Sequence, residues 1–527
     1  MKKLLTLLAV VFTAHILSAQ TKINEAIGGP GQDEAIYAET TTDGGYVIVG
    51  WTTSYGVWGW DIYLVKTDSL GAIEWTKTYG ANGDEVDCFV QQTTDGGFII
   101  TARSNSFGAG STDVYLIKTD PAGNLQWTKT IGGSDWDEGH AVLQTPDGGY
   151  IHTGYTRSFG AGGDDVYLMK NDSAGNLLWT KTYGGAGDEH GHFIQQTIDG
   201  GYIIGGETNS FGAGGWDYYL VKFDVSGNLQ WSKTYGSPGD DHGWSVQQVP
   251  SDSGYIIGGF TNGYGTEGED ALLIRTDAGG NVTWSKTYGG ASADEAYAVH
   301  LCSDGGFIIA GNTKSFGAGN TDVYLVKTDR NGNAQWSKTY GGSGNDACQS
   351  VQQTNDGGFL IAGYTTSFGM GGADFYMIKT DSLGNSSGCN ETSPLTNVFS
   401  QAIVAVNAPT LTGSGGICGT PVSLQNSGGL VSQCVPTGIN ELTSKSAFGI
   451  SPNPNNGTAS VSYSLDAGKT GCVRIYDMTG KCVSETMIQS AATTASLDLS
   501  QLDDGIYFCR MFVDGVATGG QKIMITR

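Results

Sequence analysis

The chain predicts an all-β fold: a seven-bladed β-propeller closed by its own N-terminal strand, then a linker and a small Ig-like β-sandwich. Three observations carry this reading. A unit of about 52 residues recurs seven times between Gln20 and Cys389, each copy marked by an Asp-Gly-Gly turn at Asp43, Asp95, Asp147, Asp199, Asp252 (here Asp-Ser-Gly), Asp304 and Asp356. A long fixed period means one supersecondary unit stacked on itself. A Trp recurs near the end of only six copies, and a stray copy of that end stands at the N-terminus. The last 80 residues change texture to short strands without the repeat.

One unit, from Gly185 to Tyr235, supplies four strands. His192–Thr197 alternates apolar and polar, and Ile198-Asp199-Gly200-Gly201 turns the chain. Tyr202–Gly206 is an apolar run suited to a buried strand. A Ser-Phe-Gly-Ala-Gly loop at Ser210–Gly214 leads to a third strand at Asp217–Phe223. A Gly227-Asn228 turn precedes an alternating outer strand, Leu229–Tyr235. Four short antiparallel strands in about 50 residues make a propeller blade.

The ends argue for closure. The fourth-strand Trp stands at Trp75, Trp127, Trp179, Trp231, Trp284 and Trp336, whereas the seventh unit has Gly388 there. Thr21–Gly29 reads as the missing outer strand, so the N-terminus is expected to complete blade seven and leave no open seam. The recurring pattern Gly-Gly-x-Gly-x-Asp, Asp-Gly-Gly-Tyr-Ile, Ser-Phe-Gly-Ala-Gly and Asp-Val-Tyr-Leu-Ile-Lys-Thr-Asp resembles that of secreted Gly-rich repeat proteins of bacteria and archaea. The resemblance covers residues 20–389 and implies a fold, not an activity.

Composition narrows the partners. The net charge of −25 argues against nucleic acid and anionic lipid. Residues 1–19 read as a secretory signal peptide: Lys2 and Lys3, an apolar stretch from Leu4 to Leu17, and Leu17-Ser18-Ala19 before the cut. No later stretch is apolar and long enough to span a bilayer, so no transmembrane segment is expected in the mature chain. Nine cysteines are few and odd in number. Cys88, Cys302 and Cys348 read as isolated core residues, Cys418 and Cys434 as able to pair, and Cys472 with Cys482 as unbridged, with Cys482 facing Ile475.

Residues 390–446 carry little charge and many Ser, Thr and Gly, as a linker or a small β segment would. Within 447–527, short strands are expected at Ala459–Leu465, Cys472–Tyr476, Ala495–Leu499, Gly505–Val513 and Gln521–Ile525. Ser451-Pro452-Asn453-Pro454, Val473-Arg474-Ile475-Tyr476-Asp477, Gly505-Ile506-Tyr507 and Lys522-Ile523-Met524 are similar to the C-terminal sorting domain of Bacteroidetes type IX secretion cargo. That resemblance implies a sorting signal carried by Pro452, Asn453, Pro454, Gly505, Tyr507 and Lys522. It also implies handling by the type IX translocon and its processing peptidase, and a secreted or outer-membrane-surface location reached through the periplasm.

Strand order puts the loops before the first strand and between the second and third on one face, so function is sought there. Acid pairs recur on that face; Asp84, Glu85, Asp188, Glu189, Asp240 and Asp241 are candidate Ca²⁺ ligands, Ca²⁺ being the one cofactor the acids would suit. The bland reading is turn chemistry. The aromatics at Tyr55, Phe107, Phe159, Phe211, Tyr264, Phe316 and Phe368, and the Lys or Arg after each third strand, recur in every copy and read as scaffold. Whatever breaks the pattern is the better site candidate. Trp58, Trp60, Trp136, Trp216, Trp244, His190 and His242 do so and are the candidate ligand-binding residues.

No nucleophile, phosphate-loop or dinucleotide motif is present. The leading expectation is a non-catalytic propeller that binds a glycan or a surface protein. A polysaccharide lyase or hydrolase using His140, His192, Glu138 and Glu189 is the alternative, and a purely structural surface protein is the third.

Overall fold

The computed structural model describes residues 20–387 apart from 266–267 and, in shorter stretches, residues 391–525. The signal-peptide expectation for 1–19 lies outside the described residues. Every regular element described is a β-strand. The chain divides into two compact units, Met1–Val435 and Pro436–Arg527.

The first unit holds seven antiparallel sheets, six of them built on four strands in simple succession. In the fourth sheet these are Glu189–Gln196, Tyr202–Thr208, Asp217–Phe223 and Leu229–Tyr235. The second and third strands are buried at every residue, as their unbroken apolar runs require. The Asp-Gly-Gly turn is locked twice. Asp199 Oδ1 accepts hydrogen bonds from Gly201 N (3.0 Å) and Thr197 Oγ1 (2.5 Å), while Lys222 Nζ lies 3.0 Å from Asp199 Oδ2. The same cation–aspartate pair recurs in all seven sheets, with Arg275 on Asp252 in the fifth. The first turn glycine has φ near 80°, and Ser253 takes that left-handed place in the fifth sheet at 59°.

The seventh sheet is completed by the N-terminus. Ile23–Gly28 pairs antiparallel with Asp374–Thr380, from Ile23 opposite Lys379 to Ile27 opposite Phe375. Each sheet then packs on the next. The fourth-strand Trp lies on the glycine of the following sheet's third turn, so a Cβ at Gly123, Gly175 or Gly384 would fall 2.7 Å from Trp75, Trp127 or Trp336. Ile23 takes the Trp place in the seventh sheet, and a Cβ at Gly71 of the first sheet would fall 2.9 Å from it. Further bonds join the seventh sheet to the first: Gln352 Nε2 donates to Tyr37 Oη (2.8 Å) and Ala38 N to Ser350 Oγ (3.1 Å).

A buried acid five residues beyond the last glycine of each fourth strand ties consecutive sheets together. Asp137 Oδ2 accepts Gly133 N and Ser158 Oγ, both at 2.7 Å, and its Oδ1 accepts Thr156 Oγ1. Asp33, Asp294 and Asp346 repeat this set, and Glu85, Glu189 and Asp241 bind the corresponding backbone N–H with a Ser or Thr hydroxyl. Each faces the aspartate that opens the preceding third strand, such as Asp61 before Glu85.

In the stretch expected as a linker or a small β segment, the described strands pair with the sheets one after another. Thr392 bridges Thr339 on the sixth sheet. Asn397–Gln401, Val406–Asn407, Leu411–Gly413, Ile417–Gly419, Leu424–Asn426 and Leu430–Gln433 then add a fifth strand to the fifth, fourth, third, second, first and seventh sheets in turn. One strap therefore visits the outer edge of all seven sheets. Cys418 sits in it opposite Ile131, and Cys434 lies outside the described residues.

The second unit has two antiparallel sheets. One orders Gly449–Ser451, Thr458–Ser462 and Thr494–Asp498; the other Cys482–Gln489, Thr470–Tyr476, Gly505–Val513 and Val516–Ile525. Val461 and Leu497 of the first share a buried cluster with Val473, Ile475, Cys509, Met511 and Ile523 of the second. The strand Cys482–Gln489 escaped the sequence reading because Ser484, Glu485 and Thr486 mask its alternation. Its ladder shifts at the turn, so Cys482 stands opposite Tyr476 and not Ile475, and Cys472 and Cys482 are both free. Of the sorting-signal residues, Tyr507 packs half-buried on the core and Lys522 lies opposite Phe508. Pro452, Asn453 and Pro454 lie outside the described residues.

The paired acids set a pH dependence. Burial first, then the facing carboxylate, pushes Asp61 and Asp374 up to about 7 and Asp165, Asp217 and Asp322 up to about 6. These groups stabilise the fold below their unfolded value of about 4 and lose that contribution as pH rises through 6–7. Asp43 and Asp147, held at about 2 by their turn hydrogen bonds and lysines, contribute above about 4 and lose it as pH falls toward 2. The melting temperature is expected to peak near pH 4–5 and to decline toward both pH 8 and pH 2 in a calorimetric pH series.

Candidate functional site

The first strand of every sheet carries a β-bulge, and the bulge aims one side chain into a common cavity. The ladder slips between Ala35 and Tyr37, Gly139 and Ala141, Gly191 and Phe193, Gly243 and Ser245, Ala296 and Ala298, and Cys348 and Ser350. The second sheet has a wider slip, from Val86 to Phe89, and Asp87 there adopts a φ of 55°. Bulges re-aim a side chain without disturbing the rest of a ladder. The bulged residues Ile36, Cys88, His140, His192, Trp244, Tyr297 and Gln349 all line one cavity of about 650 Å³.

A second ring of variable residues lies two positions earlier, each opposite a variable residue of the second strand: Glu34 by Trp51, Val86 by Arg103, Glu138 by Tyr155, His190 by Glu207, and His242 by Phe260. In the fourth sheet this makes a charged knot. Glu207 Oε1 lies 3.2 Å from His190 Nδ1 and 3.7 Å from His192 Nε2, and its Oε2 accepts from His242 Nδ1 at 2.7 Å. His190 Nε2 lies 3.3 Å from Asp164, which a bidentate Arg157 holds at 2.8 and 2.9 Å. Burial pulls His190 down, but Asp164 and Glu207 outweigh it and raise it to about 9. Burial pushes Glu207 up, yet its three histidines hold it well below the ordinary carboxylate range.

His192 is the opposite case. Its side chain is 6% exposed, neither ring nitrogen has a hydrogen-bond partner, and burial lowers it to about 4. Its ring stacks on Trp244 at 4.2 Å and meets His140 edge-on at 5.1 Å. His140 Nε2 lies 3.2 Å from Glu138 Oε2, and Trp136 Nε1 donates to Glu138. Arg103 lies 3.3 Å from Glu138 and 5.3 Å from the Trp136 ring. His140, Arg103 and Trp136 outweigh burial and hold Glu138 at about 2.

Several sequence expectations change in place. Trp60 stacks on Trp51 at 4.4 Å and lines the cavity, whereas Trp58 is 79% exposed and does not. Trp216 packs behind His190 at 5.1 Å and near His242 at 6.3 Å. His140, His192 and Glu138 are brought together, but Glu189 is not: its carboxylate accepts Gly185 N and Thr208 Oγ1. The Ca²⁺ ring is not assembled either. Glu85, Glu189 and Asp241 are sheet ties, while Asp84, Asp188 and Asp240 each accept the backbone N–H of Trp60, Asp164 or Trp216. The cause is register. The adjacent acids mix two alignments: the tie comes first in Asp33/Glu34 and Asp137/Glu138, where the second acid faces the variable second-strand residue, and comes second, after a loop acid, in Asp84/Glu85 and Asp188/Glu189. Among the described residues, one group of three metal-capable side chains gathers its ligand atoms within 4.8 Å: His190, His192 and Glu207.

Glu207, Asp164, Arg103, Tyr155 and Tyr297 were missed. A signal existed for the second-strand members: between a near-invariant Gly and a Thr or Ser, the repeat places Trp51, Arg103, Tyr155, Glu207, Phe260, Asn312 and Tyr364.

These features define an all-β protein with a cavity walled by seven repeated sheets. Residues 449–526 match the family model of the secretion system C-terminal sorting domain. Type IX secretion therefore exports the chain to the cell surface or beyond, and that machinery handles it. No described helix is long and apolar enough to cross a membrane. The chain is 25% identical over 179 residues to regulatory protein FlaEY of Caulobacter vibrioides, covering 29% of this chain and 19% of that protein. Among solved structures it is similar to the extracellular domain of a protein described as a hybrid two component system of B. thetaiotaomicron, with 10% identity, 93% and 73% coverage and a TM-score of 0.18. A biofilm associated protein's BSP domain has 11% identity, 98% and 99% coverage and a TM-score of 0.17. At those scores neither likeness carries an argument.

The two neighbouring histidines should titrate far apart. In a pH series of imidazole ¹⁵N shifts, His190 is expected to stay protonated to about pH 9 and His192 to stay neutral down to about pH 4.

Proposed function

We propose that the seven sheets are the blades of a closed β-propeller, and that the exported protein binds a glycan in the cavity at its centre. The cyclic packing of successive sheets, completed by Ile23 against Gly71, supports the first part. The observation that carries the second is convergence. Many of the positions that vary between otherwise near-identical units line the cavity, and they supply aromatic faces and charged hydrogen-bonding groups together. The Trp60–Trp51 stack, Trp244 and Tyr297 offer ring faces for the apolar side of a sugar. Glu207, Glu34 and Arg103 offer the few placed polar groups such a site needs, and 650 Å³ is within the usual size of a small-ligand pocket.

A neutral His192 beside a charged His190 favours a second reading, acid–base cleavage of the same ligand with His140 and Glu138. Product release that survives in a His140→Ala/His192→Ala chain would remove it.

A glycan-array screen of the full chain tests the binding reading. At least one glycan class is expected to bind, with affinity about tenfold weaker in Trp244→Ala and unchanged in Leu70→Ser on the opposite hairpins. A hit lost in Leu70→Ser and kept in Trp244→Ala would overturn the placement.

A further inference from the structure

We infer that His190, His192 and Glu207 form a binding site for a divalent first-row transition ion such as Zn²⁺. The inference stands on the side chains alone and does not depend on the glycan reading. His190 and His192 are two apart on one strand, and the bulge at His192 leaves it out of the ladder, free to turn toward the neighbouring strand. Glu207 stands directly opposite His190 on that strand. One ligand atom of each comes within 4.8 Å of the others, and Glu207 Oε1 lies 3.2 Å from His190 Nδ1 and 3.7 Å from His192 Nε2. Ligands at about 2.0–2.1 Å around a tetrahedral ion are separated by about 3.3 Å, close to the two carboxylate–imidazole spacings.

The independent sign is His192. A buried imidazole with neither nitrogen satisfied carries an uncompensated desolvation cost. An ion on Nε2 would relieve it.

The surroundings fit a metal ligand set. His190 turns its other nitrogen to Asp164, itself fixed by Arg157, which is the carboxylate–histidine support that orients an imidazole on an ion. His242 holds the second oxygen of Glu207, leaving the first for the ion. On binding, the His190 Nδ1 proton leaves to solvent and the carboxylate is already ionised, so the site forms without any further group. Two imidazoles and one carboxylate suit a borderline ion and do not suit Ca²⁺, which takes oxygen ligands. All three ligands line the cavity, so a fourth position stays open to water or a bound ligand.

Isothermal titration of Zn²⁺, and visible spectroscopy with Co²⁺, on the chelator-treated full chain test this. One ion per chain is expected, with Co²⁺ absorption of a nitrogen–oxygen site and no response to Ca²⁺. His192→Phe keeps a ring against Trp244 and removes both nitrogens. It should lose the ion while its metal-free melting temperature holds or rises. Asp164→Asn should weaken binding about 10–100-fold. Absence of a stoichiometric ion in the parent chain, or binding unchanged in His192→Phe, would overturn the assignment.

Discussion

The fold rests on a buried carboxylate used seven times. At Asp33, Glu85, Asp137, Glu189, Asp241, Asp294 and Asp346 it takes the backbone N–H at the exit of one sheet and, in all but Asp241, a hydroxyl at the end of the second strand of the next. Asp241 binds Ser237 through both its amide and its hydroxyl. Leaving the donors of such buried hydrogen bonds unpaired costs about 1–3 kcal/mol each. This one contact fixes where a sheet begins relative to its predecessor. Once it is set, the third residue beyond it is the bulged one and turns to the cavity.

That arrangement separates scaffold from site within a single strand. The tie, the turn aspartate with its lysine, and the Trp-on-glycine contact are paid into every copy and leave little room for variation. The bulged residue and its neighbour are bound by none of these, so a wall of seven identical sheets can present Ile36, His192 or Trp244 at one equivalent position. The strap from Thr392 to Gln433 completes the scaffold from outside. By pairing the outer edges of the sheets it covers the unpaired backbone groups that invite strand addition.

Much of this was legible in the repeat. The turn, the buried runs Tyr202–Gly206 and Asp217–Phe223, and the role of Thr21–Gly29 as an outer strand follow from periodicity and from the missing seventh Trp. The strap was not legible, because two- and three-residue strands such as Val406–Asn407 take their structure from the edge they join and have no pattern of their own. The site was half legible. His140, His190, His192 and His242 stood out as breaks in the pattern, but Glu207 did not, since a lone Glu between Gly206 and Thr208 looks like solvent-facing strand. Grouping Asp and Glu by adjacency hid the register that sets Glu138 beside His140 and sends Glu189 into the scaffold.

The account depends on that division between adjacent acids, and the pair Asp33 and Glu34 isolates it. Asp33 holds Gly29 N, Ser54 Oγ and Thr52 Oγ1 where the seventh sheet meets the first. Glu34 lines the cavity, and burial pushes it up to about 7. The direct measurement is calorimetric melting of Asp33→Ala and Glu34→Ala at pH 7.5. The account predicts a loss of about 3 kcal/mol or more for Asp33→Ala and a change within about 0.5 kcal/mol for Glu34→Ala. Equal losses, or a larger one at Glu34, would contradict it.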